Sequence, residues 1–141
     1  MALEFTVKIN GQKKVFDHKV KIIDLIDGDK HQYINALVNN RLRELNYEVF
    51  YDAEVELFTK KDYLAIKIYE TSLRYIIAMA ASRAFPDYKI KFSYNISRSI
   101  FISLLNKDRP FTSEELRKLK EAIDEIVKQD YPLVRKVISN E

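Results

Sequence analysis

The chain has 141 residues, with 24 Lys+Arg against 21 Asp+Glu and a net charge of +3. An apolar share of 47%, with nine Tyr and eight Phe, can fill a core and excludes intrinsic disorder. Two Gly, two His and no Cys exclude a phosphate-cradling P-loop, a glycine-rich dinucleotide loop, a thiol nucleophile, a disulfide and a Cys-based zinc site.

Phe5, Val7 and Ile9 alternate with Thr6 and Lys8, the period of a half-buried strand. Asn10-Gly11 follows, a hairpin turn pair that tolerates positive φ, and Gln12 to Phe16 reads as the return strand. Val20 to Ile26 reads as a short helical face closed by Asp27-Gly28-Asp29. Tyr33 to Val38 is a third strand, weakened by Asn35, and Asn39-Asn40 is a turn. Leu42 and Leu45 flank charges, and Ala53 to Phe58 alternates as a closing strand. This order is that of a ubiquitin-like β-grasp. The polar seam Thr59-Lys60-Lys61-Asp62 sets the expected boundary between domains 1–61 and 62–141.

From Asp62 to Phe85 the period becomes helical, and Tyr69, Leu73, Ile76, Ile77, Ala80 and Ala84 share one face until Pro86. Tyr88 to Ile96 and Ile100 to Leu104 read as an antiparallel hairpin around a turn at Asn95 to Ser99. Thr112-Ser113-Glu114-Glu115 is a capping box opening a helix through Leu116, Leu119, Ile123, Ile126 and Val127, which Tyr131-Pro132 stops. Val134 to Ile138 reads as strand-like, and an apolar run so near the end suggests a piece of a longer protein. The expected class is α+β: a β-grasp module, then a helix–hairpin–helix module.

The first residues hold no basic segment leading into an apolar run, so no signal peptide is expected. The longest apolar stretch, Tyr75 to Ala81, is far too short for a bilayer, so a cytoplasmic protein without a membrane partner is expected. The mild positive charge permits nucleic-acid contact without arguing for it.

The strings along this order carry a resemblance. The first 60 or so residues resemble the TGS domain, a β-grasp module. The remainder resembles the first half of the second additional domain of threonyl- and alanyl-tRNA synthetases. Tyr69-Glu70-Thr71-Ser72-Leu73 and Ala84-Phe85-Pro86-Asp87-Tyr88-Lys89 are similar to that domain's opening helix and its exit. Ser93-Tyr94-Asn95-Ile96-Ser97-Arg98-Ser99-Ile100-Phe101 is similar to its hairpin. Val38-Asn39-Asn40-Arg41-Leu42-Arg43-Glu44-Leu45-Asn46-Tyr47 is similar to a string in the N-terminal half of a group of bacterial uridine (nucleoside) kinases, which place the same two modules ahead of a P-loop domain. That resemblance implies a non-catalytic regulatory or ligand-binding region, with the kinase domain beyond Glu141 as its partner. ATP and a divalent metal would belong to that parent domain, with no cofactor in this chain. The alternatives are a degenerate tRNA-editing-like module that binds RNA, and a protein-docking module.

The resemblance also singles out Thr71 and Tyr75. Synthetase editing domains carry a His-x-x-x-His pair there, and neither Thr nor Tyr is a usual zinc ligand. No catalytic residue and no metal ligand are therefore expected. Ser97, Arg98, Tyr94 and Lys91 form the candidate ligand-binding set, since hydroxyls and cations around a turn suit a phosphate or carboxylate. A polar turn facing water is the plainer alternative. Tyrosines beside cations, as in Tyr63-Lys67, suit stacking on nucleotide or RNA, although core and boundary roles are commoner.

Overall fold

The computed structural model describes residues 3–97, 99–134 and 136–140. It divides into two compact units, Met1–Thr71 and Ser72–Glu141.

In the first unit, strands β1 (Phe5–Ile9) and β2 (Gln12–Phe16) form an antiparallel hairpin. Its turn is Asn10-Gly11, at φ 51° and 75°, the left-handed pair that an Asn-Gly hairpin needs. β3 (Val20–Lys21) leads into a single 3₁₀ turn, Ile22–Leu25. The expected helical face is thus reduced to one turn. Only four residues are available before the chain must extend again toward Gly28 (φ 88°), too few to repay nucleation of an α-helix. Backbone bonds from Ile22 N–H to Tyr47 O and Ile23 N–H to Leu45 O pin that turn, and Ile22 is fully buried.

β4 (Tyr33–Val38) and β5 (Arg41–Glu44) form a second hairpin through Asn39-Asn40, at φ 48° and 63°. Asn35, a poor strand former, stands beside a register shift in β4. β6 (Glu48–Val49) pairs with β3, and β7 (Ala53–Thr59) enters the sheet centre. The five-stranded order is β2-β1-β7-β4-β5, with β1 and β7 parallel and the other neighbours antiparallel. This is the β-grasp arrangement. Alternate residues Val7, Ile9, Ala36, Val38, Ala53 and Val55 face one way and close the core over Ile22, Leu25 and Val49.

α1 (Tyr63–Ala84) follows a turn in which Asp62 Oδ2 accepts from the Thr59 backbone N–H. It ends before Pro86, which has no N–H to continue the ladder. In the second unit, β8 (Ile90–Ile96) and β9 (Ser99–Leu104) form the expected antiparallel hairpin. Its open end is latched by Asn106, whose side chain accepts from Lys89 N–H and donates to Asp87 O. α2 (Ser113–Gln129) starts with both bonds of the capping box in place and stops at Asp130, at φ 50°. Ala80, Ala81, Leu119 and Ile126 form the core of this unit. The expected strand at Val134 to Ile138 does not form among the described residues. Val134, Val137 and Ile138 are exposed, and none of them pairs with a strand among the described residues.

Candidate nucleic-acid interface

A basic and aromatic cleft is built on β5. The register sets Arg41 opposite Val38 and Arg43 opposite Ala36. Val38 and Ala36 face the core, so both arginines emerge on that side at the sheet's outer edge. The chain then turns through a bond from Tyr47 N–H to Glu44 O, which brings Tyr47 back beside Arg43. The Arg43 guanidinium carbon stands 4.8 Å from the Tyr47 ring centroid. The Tyr47 and Tyr51 hydroxyls bond to each other at 3.0 Å. That bond raises the Tyr51 pKa above its ordinary value, partial burial adds to it, and Arg43 and Arg41 pull weakly the other way. The Tyr51 hydroxyl therefore stays neutral and can donate.

Val38, Asn39, Arg41, Arg43, Tyr47 and Tyr51 line a cleft of ≈ 520 Å³. Among the described residues neither arginine has a carboxylate at ion-pair distance. The Arg43 Nε is buried and has no hydrogen-bond partner there. A second cleft of the same unit, ≈ 530 Å³, is lined by Glu54 and Glu56 with Asn39 and Asn40. Its carboxylates oppose an anion, so charge separates two cavities of nearly equal size.

The second unit uses its cations differently. Phe85 and Tyr88 stack at 4.8 Å with rings 12° apart, and Lys107 Nζ stands 4.6 Å from the Tyr88 centroid. Arg109 pairs with Glu115 and reaches the Tyr88 hydroxyl at 3.5 Å. Arg109 first, then Tyr88 and the Thr112 backbone and hydroxyl, hold the Glu115 carboxyl down at about 2 against the opposing effect of burial. These charges neutralise one another and brace the start of α2.

Of the ligand-binding set expected from the sequence, the structure describes the side chains of Lys91 and Ser97. Lys91 is an exposed residue of β8 opposite Ser103, and Ser97 is exposed in the turn at φ 55°. No hydrogen bond or ion pair joins them among the described residues. Arg98 lies outside the described residues, as does the side chain of Tyr94. The Thr71 hydroxyl donates to Lys67 O within α1, and Tyr75 is 57% exposed. Among the described residues no group of three or more His, Asp or Glu is placed to hold a metal ion. No helix described is long and apolar enough to cross a membrane. Of the tyrosine–cation neighbours, Tyr63 and Lys67 do meet, at 4.6 Å. Arg41, Arg43, Tyr47 and Tyr51 were not singled out from the sequence as a site. The one available signal was two arginines two apart on a strand, followed by two tyrosines four apart.

Comparison with known proteins agrees with the synthetase side of the resemblance. The chain is 29% identical over 136 residues to a threonine–tRNA ligase of Caldanaerobacter subterraneus subsp. tengcongensis, covering 94% of this chain and 21% of the relative. It is 26% identical over 136 residues to that of Prochlorococcus marinus, with the same coverage. It is 31% identical over 104 residues to that of Desulforamulus reducens, covering 74% of this chain and 16% of the relative. The chain thus spans about a fifth of the length of the curated relatives it matches. No protein-family model matches it. These relatives are tRNA ligases, not uridine or nucleoside kinases, which overturns the kinase parent expected from the sequence. The partner P-loop domain expected beyond Glu141 finds no support among these relatives.

Proposed function

We propose that the chain is an RNA-binding module of the threonyl-tRNA synthetase type, which contacts tRNA and carries out no editing hydrolysis itself. The observation that carries this reading is the similarity to threonine–tRNA ligases along 94% of the chain. The β-grasp sheet followed by a helix–hairpin–helix unit agrees with it. If the resemblance of the opening helix holds, Thr71 and Tyr75 occupy the positions of an editing domain's histidine pair, which supports binding without metal-assisted hydrolysis. Ser97, Arg98, Tyr94 and Lys91 remain candidates for a second contact on the hairpin.

The test is a titration of labelled tRNA with the full chain at several salt concentrations. Binding that weakens steeply as salt rises is expected, because each phosphate contact releases counterions. No binding at low salt overturns the reading. Incubation with aminoacyl-tRNA should leave hydrolysis at background, and turnover by this chain would overturn the non-hydrolytic half alone.

A further inference from the structure

We infer that the cleft of Arg41, Arg43, Tyr47 and Tyr51 is a seat for one phosphodiester group of an RNA strand. The inference rests on the RNA-binding reading above and names the contact surface within it. Three observations converge. Two guanidinium groups line one cleft, and among the described residues no carboxylate neutralises either. Arg43 is held by the Tyr47 ring at 4.8 Å, with its Nε buried and without a partner. The paired hydroxyls of Tyr47 and Tyr51 add a donor at the same wall.

The chemistry follows from these positions. A guanidinium already fixed against a ring loses little side-chain freedom on binding, and its planar fork matches two oxygens of a phosphodiester. The exposed Arg41 adds a second cation from the same strand face. An acidic peptide would meet the same cations and hydroxyls, but an RNA strand can also lay a base on an arginine–tyrosine stack. The neighbouring cleft with Glu54 and Glu56 repels a strand continuing that way, so it sets the direction of approach.

The experiment is tRNA binding by fluorescence anisotropy, with wild type, Arg41→Gln, Arg43→Lys and Lys120→Gln compared across salt. Lys120 is an exposed residue of α2 and serves as a charge-matched control. Arg41→Gln should weaken binding about tenfold and reduce the salt slope by about one unit, the signature of a lost phosphate contact. Arg43→Lys keeps the charge and loses the fork, so affinity should fall with the slope unchanged. Lys120→Gln should match wild type. Arg41 is exposed, so Arg41→Gln keeps the test valid even if Arg43→Lys perturbs folding, which thermal melts report. If wild type binds and both cleft variants bind equally well, this inference fails while the RNA-binding reading stands. If wild type does not bind, both fail. If millimolar inorganic phosphate at matched ionic strength displaces the tRNA completely, the cleft is a free-anion site and the strand assignment is wrong.

Discussion

The two units are stabilised at different ranges. In the first, strands far apart in sequence meet: β1 lies parallel to β7, and Val7, Ile22, Ala36, Val38 and Val49 are each at most 1% exposed. The second has a shallow core of two alanines, Leu119 and Ile126, with neighbours such as Ile76, Ile90 and Ile102 only partly covered. There, contacts at the ends of elements carry more of the load: the capping box, the Asn106 latch and the Arg109–Glu115 pair. The contrast teaches that a β-grasp sheet closes its core by topology, whereas a helix–hairpin–helix unit leans on the ends of its elements.

The largest expected effect falls on the deep core. Ile22→Ala should destabilise the chain by about 2–5 kcal/mol, the range for an aliphatic side chain with no room to collapse. Leu119→Ala should fall at the low end of that range, because half-covered neighbours can relax into the space. Urea melts of both variants decide the matter. A larger loss for Leu119→Ala would break the comparison.

Next comes the cap. Thr112→Ala removes the hydroxyl that accepts from Glu115 N–H and should cost about 1 kcal/mol. An unchanged midpoint would mean that the end of α2 is held by Arg109 instead.

The smallest effect is confined to acid. Glu115 titrates at about 2 when folded, against an ordinary 4.5, chiefly because Arg109 favours its charged form. A depressed carboxylate stabilises the fold above its unfolded pKa, and that stabilisation is lost as pH falls from 4.5 toward 2. Melting temperatures of wild type should drop through that window, and Glu115→Gln should flatten the drop. Parallel pH curves for the two proteins would show that the pair contributes nothing to folding.

What could be read from the sequence tracks the same divide. Asn10-Gly11, the capping box and the Pro86 stop are local chemistry, and each appears where its residues stand. β5 carries no strand signal of its own, since Arg-Leu-Arg-Glu offers one apolar residue and becomes a strand through its partner β4. The run at Val134 to Ile138 is the converse case: it has strand propensity but pairs with no strand among the described residues. The cleft was hidden because it depends on register. Only the pairing of Arg43 with Ala36 and the turn at Glu44 to Tyr47 place guanidinium and ring together.

The outer position of β5 has a consequence for contact between copies of the molecule. The five-stranded sheet ends in β5 on one side and β2 on the other, and each edge leaves a row of backbone groups open to a foreign strand. Arg41, Arg43 and Glu44 stand on one edge, and Lys13 and Lys14 on the other, so both rims are basic. Two such rims repel when they meet. Replacing these cations by apolar residues would therefore threaten solubility before it threatened the fold.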